Sequence, residues 1–112
     1  GTSPQLLAMA QALSPLFEPL GLELGSLSLS VRGGWRATLG DGAVVELGGG
    51  TPPEVVARAQ HFAQTLTRVA SQYGRRADAL EAADLRHVGG YALRLRGVTT
   101  VAVQPNGRPA AR

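Results

Sequence analysis

Few side chains in this sequence could do chemistry. There are two histidines, His61 and His87, and no cysteine. Thiolate metal sites, a Cys nucleophile and disulfides are therefore excluded. Asp84 precedes His87 by three residues, with Arg86 between them. In a strand, successive side chains point to opposite faces, so this is not the geometry of a catalytic triad. No Ser lies in a Gly-x-Ser-x-Gly elbow, and two isolated histidines give no metal-ligand spacing. The reading is a non-enzymatic chain with no cofactor and no metal. His61, on the polar flank of an expected helix, reads as a solvated residue.

The glycine-rich stretches Gly40-Asp41-Gly42 and Gly48 to Gly50 match neither a P-loop nor a dinucleotide fingerprint. Hairpin and loop geometry account for them. All 11 basic residues are Arg, and the net charge is +3. A basic chain invites a nucleic-acid reading, but these arginines are spread along the sequence. A generic basic interaction or nucleic-acid-binding module is the alternative function. No run of 18 apolar residues exists that would cross a membrane. The sequence starts at Gly1 without an initiator Met, and any targeting segment is expected upstream.

The elements that must position these residues follow from periodicity. With 112 residues, 44% of them hydrophobic, the chain suits one folded domain with a modest core. Ser3-Pro4 reads as N-cap and N1 of a first helix, about residues 4–17, with a stripe of Leu6, Leu7, Ala10 and Leu13. Pro15 should end or kink it. Between 24 and 48, Leu27/Leu29/Val31, Trp35/Ala37/Leu39 and Ala43/Val45/Leu47 alternate with mostly polar residues, giving three half-buried strands. Facing residues of an antiparallel pair share a side of the sheet. Three-residue loops at 32–34 and 40–42 keep the apolar sides together. They pair Val31 with Trp35, Leu39 with Ala43, and Arg36 with Glu46. Trp35 reads as core.

Residues 52–73 give the clearest helix. Thr51 and Glu54 form a capping box, Val55, Val56, Ala59, Phe62, Ala63, Leu66, Val69, Ala70 and Tyr73 form the stripe, and Gly74 is the stop. A hairpin at 80–97 follows. A loop of Val88-Gly89-Gly90 pairs Leu85 with Leu93, His87 with Tyr91, and Asp84 with Arg94. The fold class is α+β: an antiparallel sheet, built from a meander at 24–48 and a C-terminal hairpin at 80–97, with helices about 4–17 and 52–73 packed on one face. Val98 to Val103 reads as a further short extended segment, the domain as residues 1–103, and 104–112 as a mobile tail. The terminal strand would leave an edge of unpaired backbone groups. Arg94 and Arg96 either blunt that edge or select an acidic peptide that adds as a strand, and the residues alone do not decide between these.

The stretch "RGGWRATLGDGAVVELG", a capped helix, and then "ADLRHVGGYALR" together resemble the FtsQ/DivIB family of bacterial cell-division proteins. The likeness covers about residues 3 to 97, with Asp84-Leu85-Arg86 carrying most weight. It implies the later part of the family's extracytoplasmic β domain. A cytoplasmic tail, one transmembrane helix, a POTRA domain and the first β-domain strands would precede it. It implies a divisome scaffold on the periplasmic face of the inner membrane at the septum, binding FtsB and FtsL and helping assemble the septal cell-wall synthesis machinery. It also implies strand addition of FtsB to the last strand. Carried over by position, the docking edge is Tyr91, Ala92, Leu93, Arg94, Leu95 and Arg96, with His87, Gly89 and Gly90 in the turn and Arg32 before Trp35. His87 stands where family members often carry Tyr, and Arg94 and Arg96 imply an acidic partner segment.

Overall fold

A computed structural model describes residues 3–87 and 90–109. The described residues form an α+β fold, with two α-helices and a six-stranded sheet in the order β1 to β6. The strands are β1 (Leu24–Leu29), β2 (Trp35–Leu39), β3 (Val44–Gly48), β4 (Leu80–Asp84), β5 (Tyr91–Leu95) and β6 (Val101–Val103). All neighbouring pairs are antiparallel except β3 and β4, which are parallel. The sheet is therefore mixed and not purely antiparallel as expected, with Val45 opposite Ala83 and Glu46 opposite Asp84 in the parallel pair. A parallel neighbour needs a long crossover, and the segment between β3 and β4 supplies it.

That crossover carries helix α2 (Pro52–Ser71). Its capping box is formed: Thr51 Oγ1 accepts from the Glu54 N–H, and Glu54 Oε1 accepts from the Thr51 N–H. Val55, Ala59, Phe62, Leu66, Val69 and Ala70 are buried at helical spacing. They share one hydrophobic cluster with Trp35, Ala37, Val45, Leu47, Ala83, Leu93 and Leu95 of the strands. Helix α1 (Pro4–Phe17) starts at the Ser3 cap, whose Oγ accepts from the Leu6 N–H at 3.1 Å. Its stripe differs from the expected one: Met9, Leu13 and Phe17 are buried, whereas Leu7 is 52% exposed. Pro15 does not end the helix. A proline sits at a helical φ and forfeits one backbone bond, and the complete burial of Phe17 beyond it offsets that loss.

The central hairpin keeps its expected register, with Arg36 opposite Glu46 and Ala37 opposite Val45. Its Gly42 takes φ 95°, a left-handed value that favours glycine. A bulge then moves Trp35 opposite Gly48 instead of Leu47. The other two hairpins depart by two residues each. Trp35 pairs with Leu29, not Val31, and Leu93 pairs with Ala83, not Leu85. In the first, Ser30 Oγ accepts from the Gly34 N–H at 3.0 Å, so a side chain closes the turn early and Val31 is left fully exposed. In the second, Asp84 Oδ1 accepts from the Arg86 N–H at 2.9 Å, and Leu85 donates to Glu46 O of β3 at 2.8 Å. Leu85 therefore leaves the β5 ladder, and Arg94 meets Glu81 at 3.2 Å instead of Asp84. A slip of two residues preserves which face each side chain occupies. The apolar faces therefore survived both errors.

Trp35 is 3% exposed within the core cluster. Trp35→Ala should lower unfolding free energy by about 3–5 kcal/mol, measured by urea denaturation. A loss below about 1 kcal/mol would remove Trp35 from the core.

A basic cleft beside the terminal strands

Parallel pairing of β3 with β4 brings distant residues to one end of the sheet. Both strands finish there, β5 begins there, and the loop between β1 and β2 and the start of α2 lie at the same end. A cleft of about 500 Å³ opens at this end, lined by Ala57, Arg58 and His61 of α2, Leu85, Arg86 and His87 after β4, Gly90 and Tyr91, and Pro105 after β6.

Backbone carbonyls fix Arg58. Its Nε donates to Leu47 O at 2.9 Å, and its Nη2 donates to Gly49 O. Among the described residues no carboxylate lies within ion-pair distance of it. Arg86 grips Asp84 with both Nε–Oδ1 and Nη2–Oδ2 at 2.9 Å. That bidentate pair is the main reason the Asp84 carboxyl is held below its usual range and the Arg86 guanidinium above its own. Asp84 stands beside Glu46 in the parallel register, and Glu46 is neutralised in turn by Arg36. His87 Nε2 lies 3.9 Å from Asp84 Oδ2.

The cleft floor is Tyr91, 3% exposed, with its ring edge-to-face on Phe62 at 5.0 Å. Its hydroxyl shares a hydrogen bond with Thr65 Oγ1. Burial is the leading cause of its raised pKa, and the Thr65 bond opposes the shift. Thr65 Oγ1 also donates to His61 O at 3.0 Å, one turn back.

The structure divides the residues expected at the docking site. His87, Gly90 and Tyr91 come together in the cleft. Arg32 is exposed in the loop between β1 and β2, outside the cleft lining. Gly89 lies outside the described residues. Ala92 is half-buried on the other face of the sheet, while Leu93 and Leu95 are core. Arg94 and Arg96 sit at the far end of β5, where Arg94 pairs with Glu81 and Arg96 Nη2 donates to Asp78 O at 3.1 Å.

Contrary to the expectation from the sequence, Tyr91–Arg96 is not a bare edge. Tyr91, Ala92 and Leu93 are paired with Val103, Ala102 and Val101 of β6. The expected tail is also folded back as far as Pro109. Gln104 donates to Arg108 O at 2.8 Å, His61 Nε2 is bonded to Pro105 O at 2.8 Å, and Arg68 Nη2 donates to Asn106 O at 3.1 Å. His61 is thus a tether and not merely a solvated side chain. Sequence reasoning missed Arg58, His61 and Pro105 as cleft residues. The available signal was the run Arg58, His61, Thr65 and Arg68, which recurs at helical spacing as a polar stripe.

These features describe an α+β module with a cationic cleft next to its terminal strands, and among the described residues no group of His, Cys, Asp or Glu is placed to hold a metal. The family model for the C-terminal part of cell division protein FtsQ/DivIB matches residues 1–86. Over 101 residues the chain is 32% identical to cell division protein FtsQ of Thiomonas arsenitoxydans, covering 88% of this chain and 35% of that protein. It is 34% identical over 79 residues to the FtsQ of Nitrosospira multiformis, covering 70% and 31%, and 32% identical over 93 residues to that of Vibrio cholerae, covering 83% and 33%. The chain belongs to the FtsQ/DivIB family of cell division proteins. It spans about a third of the length of the curated relatives it matches.

A buried tyrosine with a raised pKa contributes stability that is fully present below its unfolded value of 10.0 and is lost as pH rises through the folded value. The urea midpoint should therefore fall as pH rises above 10.0. Tyr91→Phe should flatten that alkaline fall, at the cost of the Thr65 bond at neutral pH. An unchanged alkaline limb in Tyr91→Phe would assign the fall to another group.

Proposed function

We propose that this chain is the partner-binding part of a bacterial divisome scaffold, located on the periplasmic face of the inner membrane at the division septum. It has no catalytic role. An extended segment of FtsB, with FtsL, adds as a strand along β5, and acidic residues of that segment enter the cleft to meet Arg58 and Arg86. The observation that carries this reading is the juxtaposition of half-buried Arg58, which has no carboxylate within ion-pair distance among the described residues, with Arg86, His87, Gly90 and Tyr91 at the start of β5. Main-chain bonds along a strand give affinity, and the pockets beside it give selectivity. Arg32, carried over by the resemblance, lies at the same end of the sheet but on its β1–β2 side, away from β5. The family resemblance supports the class of partner, and the cleft supports the acidic character of its segment.

The test is an NMR titration with the C-terminal segment of the cognate FtsB. Shifts should concentrate at 57–61, 85–87, 90–93 and 105. Arg58→Gln and Arg86→Gln should each weaken binding about tenfold. Moderate salt should cost far less than the factor of about 10³–10⁵ that a nucleic-acid contact loses between 50 and 200 mM. Indifference to both arginine changes, or a steep salt slope with competition by DNA, would sink the reading.

A further inference from the structure

Strand addition along β5 meets an obstacle in this fold: β6 already occupies that edge. The cover is short. β6 pairs only Val101, Ala102 and Val103 with β5, whereas β5 itself runs for five residues. Two inward valines seat it, Val101 at 8% and Val103 at 3% exposure, with the exposed Ala102 between them. Beyond Val103 the segment is tied to α2 through exposed contacts, His61 to Pro105 O and Arg68 to Asn106 O.

The outer side of β6 offers no useful substitute edge. Val103 already bridges to Pro109 there, and a proline presents no N–H to a further strand. A partner adding outside β6 would find little free ladder, while one adding to β5 would find the whole strand. The approach to β5 is also unusually close. A Cβ on Gly90 would lie 2.2 Å from Val103 O, so glycine lets a strand carbonyl sit against the turn.

We infer that residues 98–109 are an intramolecular stand-in for the partner strand, and that the partner takes the β5 edge by exchange with β6. The inference rests on the reading above and adds its regulation: the free edge is masked until a competing strand arrives. The stand-in also specifies its competitor. The incoming strand runs antiparallel to β5, with aliphatic residues at the two positions of Val101 and Val103 and a small residue between them, opposite Ala92. β6 runs toward the cleft, where Pro105 follows Val103 by two residues. The acidic residue of the competitor therefore lies just C-terminal to its apolar pair.

Two experiments on the whole chain test this without the partner. In native-state hydrogen exchange, amides of 101–103 and the β6-facing amides of 91–93 should exchange together, at least about tenfold faster than those of β2 and β3. Protection equal to that of β3 would make β6 a permanent strand and overturn the inference. The second experiment uses a labelled synthetic peptide of residues 98–109 in trans. The V101D/V103D variant should release its own strand and bind the peptide. The A92C/A102C variant should lock it, because facing antiparallel Cα atoms lie about 4.5–5.5 Å apart, within the roughly 4.4–6.8 Å that a disulfide spans. In its oxidised form it should bind the peptide at least about tenfold more weakly than V101D/V103D. If V101D/V103D does not fold, hydrogen exchange in reduced and oxidised A92C/A102C replaces it, and oxidation should slow the amides of 91–93. Equal peptide binding by the locked and released forms, or no effect of oxidation on exchange, refutes the exchange model. An edge that opens and accepts the peptide while the chain ignores FtsB supports the inference and defeats the partner assignment.

Discussion

The parallel pairing of β3 with β4 is the constraint on which the rest of this domain depends. It obliges the chain to leave β3 at one end and return to enter β4 at the other, and α2 fills that path. It also aligns Glu46 beside Asp84, two carboxylates that would repel across neighbouring strands. Arg36 and Arg86 answer them, each bonded to one carboxylate. Arg86 is therefore at the cleft because the strand register needs a cation there. The same residue that balances the sheet's charge becomes the cation presented beside β5. The strand-to-helix connection is equally tied to the pairing. Gly48 and Gly50 take φ of 82° and 109°, values open to glycine, and Arg58 draws the carbonyls on either side of Gly48 onto the helix.

Helix α2 does more than cover apolar surface. Beside its buried apolar stripe stand Arg58, His61, Thr65 and Arg68, and each of these bonds outside the helix, to β3, β5 or the turn after β6. Thr65 fixes the Tyr91 hydroxyl, which would otherwise be a buried donor without a partner. His61 and Arg68 hold the turn after β6. One helix thus sets the floor of the cleft and tethers the strand that borders it. The tether is made of exposed contacts to carbonyl groups, whereas Tyr91 and Phe62 are core. Motion should therefore concentrate in the C-terminal segment while the cleft floor stays fixed.

Much of this was legible in the sequence because side-chain alternation has a period of two. Leu27, Leu29, Ala37, Val45, Ala83 and Leu93 fell on their correct faces even where the hairpin loops were drawn too short, since a shift of two residues leaves the faces alone. The loop lengths were not legible, because they turn on local competition. The Ser30 hydroxyl and the Asp84 carboxylate each capture a backbone N–H and close the turn in their own way. Of the α1 stripe, Leu13 was placed correctly and Leu6 packs on the core, but Leu7 is exposed and the buried Met9 was left out. An uncharged helix rich in Leu and Ala has too little polar contrast to mark its buried side. The cleft was hidden for a different reason. Its members run from Ala57 to Pro105, and only the parallel pairing, a long-range contact without local signature, brings them together.

On the proposed reading, the terminal strands face the opposing demands on any sheet that ends in a recognition edge. An open edge invites any exposed strand, including those of other copies, so it must be blunted. A permanent cover would remove the edge altogether. The arrangement here meets both demands with weak parts: a strand of three residues, two buried valines, and a proline that closes the outer side. The pairing of Arg94 with Glu81 and the bond from Arg96 to Asp78 O belong to the same economy. They satisfy the arginines at the far end of β5 within the chain, just as Asp84 satisfies Arg86 where the strand begins. Charge at one end of β5 is thereby internal and structural. At the other end Arg58 has no carboxylate within ion-pair distance among the described residues, although Glu54 one turn back feels its charge, and on the proposed reading that asymmetry would orient an incoming acidic strand.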